Sequence, residues 1–377
     1  MLIFSLLIAA ISLAIWLYLL FAHGRFWQSG PVLANRSYHG TARVAVVIPA
    51  RDEAAQIEAV LTSLLQQQFH GELSIVLVDD NSTDGTGDIA RALNDSRLEV
   101  VQGLPLKTGW TGKMWAVSQG LLRPQVQAAD YVLLTDADII HAPCHLAHLV
   151  AKAELDGLDL VSEMVRLNCQ TLAERALIPA FVFFFQSLYP FKWCADPERT
   201  MAGAAGGTML VSQRALQAVE GVNRIRDNLI DDCALAAEIK QVGTIWLGHA
   251  EQADSRRVYD GPGEIWRMIA RTAYTQLRRS PLLLLGACVA LGITYLAPPL
   301  LLLAGGLPAI LGLITWLMMA YAFQPTLRRY HRAPWWGFAL PLIALFYLAA
   351  TIASAIAHYR GNGGQWKARV YSDEVTL

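Results

Sequence analysis

Four short stretches of the 377-residue chain carry side chains whose types and spacing suit work on a phosphate-bearing ligand. The first is Thr135-Asp136-Ala137-Asp138. Its two carboxylates follow an apolar run, and burying unpaired carboxylates costs several kcal/mol. A divalent cation is their natural partner, because Mg²⁺ takes one or two carboxylates together with phosphate oxygens. The second is Gly112-Lys113, opening a helix. Backbone N–H groups and one ammonium there can meet a diphosphate. It is not a P-loop, since Lys107 stands where that motif needs glycine. A capped helix start with a solvated lysine fits the same residues. The third is Asp79-Asp80, at the end of an apolar run. Carboxylates there can read hydroxyl and N–H donors by charge-assisted hydrogen bonds. Taken alone, the stretch Asp79–Gly85 reads equally well as a turn and helix cap. The fourth is Asp231-Asp232, which would also suit the first turn of a helix over 234–241.

These residues need elements to position them. Short apolar runs predict strands over Arg43–Pro49, Leu73–Asp79, Leu98–Val101 and Tyr131–Thr135. Helical patterns over Glu53–Gln67 and Lys113–Leu122 fall between them. Apolar strands alternating with helices predict an α/β fold with a parallel sheet covered on both faces. Ligands of such sheets sit at the carboxyl ends of the strands, where the acidic motifs fall. A loop of small residues, Ala202–Leu210 with Gly206 and Gly207, precedes a further strand and lets backbone approach a ligand closely.

Composition adds a membrane. Charged residues are 16% of the chain and apolar ones 54%, against roughly 25% charged in soluble domains. Residues 1–24 are an expected transmembrane anchor, with no basic n-region to mark a cleaved signal and with Trp16 and Tyr18 at belt positions. Residues 25–42 form a linker and 43–280 the α/β domain. Two passes are expected over 281–323 and one over 335–358, followed by a tail over 359–377. The formal net charge of −1 gives no support for a nucleic-acid partner. The five cysteines are scattered and predict reduced thiols rather than a disulfide framework. His141, Cys144, His145 and His148 have one-face helical spacing, which suits a helix packed on the sheet better than zinc.

The pairing of Ile48-Pro49-Ala50-Arg51-Asp52-Glu53 with Val78-Asp79-Asp80-Asn81-Ser82-Thr83-Asp84-Gly85-Thr86 resembles the family 2 glycosyltransferases, from Ala45 to about Tyr274. The resemblance implies a GT-A (Rossmann-like) domain that binds a nucleotide sugar, with a UDP-sugar favoured. Pro49, Ala50, Arg51 and Glu53 would border the base and ribose, and Asp79 and Asp80 would hold them. Lys113 would neutralise the diphosphate. Asp136-x-Asp138 is similar to the family's D-x-D pattern, with Asp138 on Mg²⁺ or Mn²⁺ and Asp136 on the ribose or behind the metal. Gly206 and Gly207 would lie under the sugar. Asp231-Asp232 resembles an E-D motif in which Asp232 is the general base. The Q-x-x-R-W motif of processive relatives is not intact, which implies one sugar per acceptor. Arg267 and Arg271 stand near its place and could contact phosphate.

Anchor, GT-A domain and C-terminal membrane segments together resemble bacterial lipid glycosyltransferases, above all the hopene-associated ones. This implies an inverting enzyme of the bacterial inner (cytoplasmic) membrane, multi-pass, with a cytosolic catalytic domain and a lipid acceptor. A polyprenyl-phosphate sugar synthase and a non-catalytic membrane scaffold are the competing readings. The aromatic stretch 176–193 is expected to lie in the membrane interface, with a core helix as the alternative. Topology carries a conflict. Arg328, Arg329 and Arg332 call for a cytosolic loop, one further pass would put the C-terminus outside, and Arg360, Lys367 and Arg369 call for a cytosolic tail. One apolar segment is then re-entrant or interfacial.

Overall fold

The computed structural model describes residues 2–361 and the backbone of 365–366 and 369–370. Helix α1 (Leu2–Phe21) leads through a 3₁₀ turn (Phe26–Gln28) and a long irregular segment to strand β1 (Arg43–Ala50). Then follow α2 (Ile57–Leu65), β2 (Glu72–Asp79), α3 (Thr86–Ala92), β3 (Leu98–Gln102), α4 (Gly112–Leu121), α5 (Pro124–Gln127) and β4 (Tyr131–Leu134). The next elements are β5 (Ile139–His141), α6 (His145–Asp156), β6 (Leu160–Arg166), α7 (Leu172–Leu188) and α8 (Phe191–Ala195). The domain ends with β7 (Met209–Ser212), α9 (Gln213–Ala218), α10 (Asp231–Val242), β8 (Ile245–Ser255) and α11 (Pro262–Gln276).

The eight strands form one sheet in the order β3-β2-β1-β4-β7-β6-β8-β5. β1 is buried from Val44 onward, as an inner strand covered on both faces requires. The expected parallel sheet holds for β3, β2, β1 and β4. It fails at β7, which runs antiparallel to both β4 and β6. After β6 the chain returns at the same end of the sheet through α7 and α8, with no crossover. This reversal matters for the site. Met209, the first residue of β7, pairs with Leu134, the last of β4. The small-residue loop before β7 therefore lies at the carboxyl end of β4, beside Asp136.

Four helical segments are long and apolar enough to cross a membrane: Leu2–Phe21, Pro281–Ala304, Gly306–Arg329 and Pro334–Tyr359. The second comprises α12 (Pro281–Leu291), a π turn at Gly292–Leu296, and α13 (Ala297–Leu301). The third is α14 (Gly306–Arg329), which runs past the expected end at 323. The fourth enters through a 3₁₀ turn at Pro334–Ala339 and continues as α15 (Leu340–Tyr359). Trp16 of α1 donates its indole N–H to Thr294 O at 2.8 Å, and Ser12 donates to Ile293 O at 2.8 Å, so the anchor is stitched to the second segment. Lys367 and Tyr371, counted in the tail, lie outside the described residues.

The aromatic stretch 176–193 forms most of α7 and the start of α8. α7 starts with a capping box between Thr171 and Glu174 and is wedged between the α/β domain and the apolar helices. Phe183 is fully buried, with ring centroids 5.2 Å from Phe26 and 5.1 Å from Phe323. Phe184 packs on Tyr295 and Tyr347. The aromatic rings of α7 pack in the seam between the α/β domain and the apolar helices.

Candidate active site

Lys113 stands on the first turn of α4, whose N-cap Thr111 accepts a hydrogen bond from Met114 N–H. Its ammonium lies 2.9 Å from Asp136 Oδ1 and 3.0 Å from Asp231 Oδ2. Burial alone would lower its pKa, but Asp136 and Asp231 outweigh burial and hold it well above the ordinary lysine value. The solvated-lysine reading is therefore excluded. The expected diphosphate partner is replaced here by two carboxylates, which share the cation between the D-x-D motif and the start of α10.

Asp232 sits at the same helix start. Its Oδ2 accepts from Gly206 N–H at 2.9 Å and its Oδ1 from Cys233 N–H at 2.7 Å. Burial, and then the charge of Asp231, push its carboxyl up to about 6, against the pull of Lys113 and the two N–H groups. Such a group is ionised at neutral pH yet basic enough to take a proton. Gly206 lies close to both groups: an added Cβ would come within 3.3 Å of Lys113 Nζ and 3.6 Å of Asp232 Oδ2. At Gly207 a Cβ would meet Val165 at 2.8 Å. Pro49, Lys113, Asp136, Gly206, Asp231 and Asp232 all line one cavity.

On the other side of Pro49, Asp79 and Asp80 are both buried. Asp79 Oδ1 accepts from Ser82 N–H at 2.9 Å, so part of its capacity serves its own turn. Arg51 donates to Asp80 O at 2.6 Å and lies 3.6 Å from its carboxylate. Ala50 ends β1, and Glu53 N–H donates to Thr86 Oγ1 at 2.8 Å, which ties the first motif to the second. The turn reading and the binding reading of Asp79–Gly85 thus describe one structure, a turn that presents acids at strand ends.

Asp138 faces a different wall. Its Oδ2 accepts from Ser255 Oγ at 3.2 Å, and its backbone oxygen accepts from Arg256 N–H at 2.7 Å. Burial, then Asp136 and Glu53, push its carboxyl up to about 6, and Arg257 opposes this. A cation would relieve that negative field, so Asp136 and Asp138 fit Mg²⁺ or Mn²⁺ completed by phosphate oxygens. Among the described residues, no three His, Cys, Asp or Glu side chains gather into a metal cluster of their own. Arg267 and Arg271 do not join the cavity lining. Arg267 is exposed on α11 and lies 3.5 Å from Glu264. The arginine whose charge is felt at Asp138 is Arg257, in the loop after β8, which no motif marked.

The sequence reading also missed a buried chain beneath the D-x-D turn. Thr135 Oγ1 donates to Gly207 O at 2.7 Å and lies 3.1 Å from His141 Nε2. His141 Nδ1 is 2.8 Å from His145 Nδ1, and His145 Nε2 is 2.6 Å from Glu163 Oε2. A carbonyl only accepts, so Thr135 must donate to Gly207 and accept from His141 Nε2–H. Neutral His141 then accepts at Nδ1 from His145 Nδ1–H, and His145 Nε2 accepts from a protonated Glu163. Burial supports each state: it lowers both histidines, His145 to about 3, and raises Glu163 to about 8. His141 lies on β5 rather than on the helix. Cys144 turns to Gln68 and His148 to Gln252, so the four spaced residues do not converge on zinc.

Sheet order and site together define a GT-A fold. Residues 45–212 match the sequence model of the family described as "Glycosyl transferase family 2". A mannosyltransferase from Pyrobaculum calidifontis, solved with GDP-Man and Mn²⁺, aligns over 92% of this chain and 99% of its own, at 21% identity and a TM-score of 0.56. An undecaprenyl-phosphate 4-deoxy-4-formamido-L-arabinose transferase of Pseudomonas fluorescens is 34% identical over 134 residues, covering 35% of this chain and 38% of that protein. A 4,4'-diaponeurosporenoate glycosyltransferase of Staphylococcus aureus is 31% identical over 96 residues, covering 26% of this chain and 24% of that protein. The chain thus spans less than two fifths of the length of these two curated relatives.

Proposed function

We propose that the protein transfers one sugar from a nucleotide-sugar donor, a UDP-sugar by preference, to a membrane lipid, with inversion at the anomeric carbon. The observation that carries this reading is Asp232, held by the Gly206 N–H at the strand end where Asp136 and Lys113 also stand. Asp79, Asp80 and Arg51 bind the base and ribose, and Pro49, Ala50 and Glu53 border them. Asp232 takes the proton from the acceptor hydroxyl as that oxygen attacks the anomeric carbon. The bond from that carbon to the diphosphate breaks, and the pair of electrons leaves with the nucleotide. Lys113 moves from Asp136 and Asp231 toward the diphosphate as negative charge builds there. Bound through Asp138 and Asp136, Mg²⁺ or Mn²⁺ supplies further neutralisation of the leaving group.

The setting is a bacterial inner membrane with the α/β domain cytosolic, and the acceptor a hopanoid or related lipid. Apolar helices packed against the domain and relatives named for lipid-linked chemistry support the membrane part. Asp232→Asn should keep nucleotide binding and lower turnover by roughly two to four orders of magnitude. Mass spectrometry of lipids from cells with and without the protein identifies the product. The likeness to an undecaprenyl-phosphate transferase favours a second reading, in which the acceptor is already an anion. Under that reading Asp232→Asn is nearly silent.

A further inference from the structure

We infer that α15 does not cross the bilayer but lies in its plane beneath α11, with one face against the acyl chains of the leaflet nearest the α/β domain. The C-terminus then emerges on the catalytic side. By length and hydropathy α15 qualifies as a span, so packing has to decide.

α15 runs side by side with α11 in one parallel register. Trp266 packs on Phe346 at 5.2 Å, and Ser354 Oγ meets Tyr274 N at 3.1 Å, with the same sequence offset at both points. The hydroxyls of Tyr274 and Tyr359 lie 3.0 Å apart, so the pairing extends to the end of α15. Whatever depth α11 has, α15 shares.

α11 cannot stand in the acyl region. Its 15 residues include Glu264, Arg267, Arg271 and Gln276, and Arg267 and Arg271 are exposed. An Arg at the bilayer centre costs about 2.5–3.5 kcal/mol even on insertion scales. Both ends of α11 are also fastened to the α/β domain. Tyr259, just before it, donates its N–H to Glu174 Oε1 at 2.8 Å, and Gln276 at its end meets Tyr189 OH at 2.8 Å.

The turn before α15 packs back along α14, where Trp316 donates its indole N–H to Phe338 O at 3.2 Å. Arg329, at the end of α14, donates to Ala250 O of β8. Seven residues into α15, Tyr347 donates to Leu177 O of α7 at 2.9 Å. A crossing helix of 20 residues would carry its far end about 30 Å away. Instead Phe346, Tyr347, Ser354 and Tyr359, from its second turn to its end, all touch α7 or α11.

The outer face fits lipid. Leu342, Leu345, Ile352 and Ile356 are exposed and fall on one stripe, opposite the stripe of Ile343, Tyr347, Ala350 and Ser354 that packs inward. An exposed, wholly apolar stripe beside three other membrane-type helices is suited to acyl chains. Arg360, the residue after α15, then lies at the headgroups of the domain side, as its charge prefers. The conflict between the basic loop before α15 and the basic tail after it disappears.

Two epitopes test this in the full chain, one inserted between Arg332 and Ala333 and one at the C-terminus. Each is probed with antibody in sealed vesicles of both orientations, against an antibody to the α/β domain. Both epitopes and the domain should be reached from the same face. A C-terminal epitope reached from the opposite face overturns the inference. The two epitopes are carried by separate variants, so the C-terminal result stands if the inserted tag impairs folding. Neither arm depends on sugar transfer, so the result is separate from the proposed activity.

Discussion

Lys113 Nζ lies 2.9 Å from Asp136 Oδ1, and this one contact joins the helix-start lysine to the D-x-D turn. Because the same ammonium also lowers the pKa of Asp232, its loss should be read in the pH profile. As the proposed base, Asp232 would act ionised, and burial with the charge of Asp231 pushes its carboxyl up to about 6. The acid limb of kcat for the wild type should therefore fall near pH 6. Lys113→Met removes the attraction, raises the pKa of Asp232 and moves the limb to higher pH, so the variant loses more activity at pH 6 than at pH 8. Profiles of kcat against pH decide this. A limb that stays put would assign the ionisation to another group.

A cation at Asp138, the proposed metal ligand, would relieve the negative field of Asp136 and Glu53 around it. Chelator should abolish activity, and Mn²⁺ or Mg²⁺ should restore it. Asp138→Ala should weaken Mn²⁺ binding in the presence of nucleotide by at least about 10-fold, measured by calorimetry. Unchanged metal affinity would move the metal elsewhere.

Phe183 is fully buried between Phe26 and Phe323. Phe183→Ala should cost about 3–5 kcal/mol of stability. Activity should fall equally on lipid and on a soluble short-chain acceptor, since the seam holds two bodies together rather than reading lipid. Selective loss on lipid, with unchanged thermal unfolding, would return α7 to the interface.

Glu163 has a folded pKa of about 8 against an ordinary value of 4.5. Between those values the folded state keeps a proton that the unfolded chain releases, so this group's contribution to stability falls as pH rises across the window. Glu163→Gln can still donate from its amide to His145 Nε2 but does not titrate. From pH 4.5 to 8 the wild type should therefore lose Tm relative to this variant. Thermal unfolding in detergent across that range checks the sign.

The strands and acidic motifs were legible because apolar runs and their terminal carboxylates are local patterns. Asp136, Asp138, Asp231, Asp232 and Lys113 could be singled out without coordinates, and all but Asp138 line the cavity. Arg267 and Arg271 were singled out because they stand near the place of the Q-x-x-R-W motif, and that place does not say which way their helix face points. Arg257 and the chain from Thr135 to Glu163 escaped notice. Arg257 faces Asp138 from beyond β8 and Glu163 reaches His145 from β6, so no short window of sequence contains either pairing.

The sequence by itself determined that an α/β body with acids at its strand ends is joined to apolar helices, because burial and charge are properties of composition and period. Only the tertiary structure decided that β7 runs backward, since strand direction depends on where the chain returns. That reversal brings Gly206 to Asp232 and Gly207 to Thr135. Tertiary packing also sets the depth of the apolar helices. A stretch of 20 apolar residues satisfies a span and an in-plane helix equally, and the polar neighbour α11 is what distinguishes them.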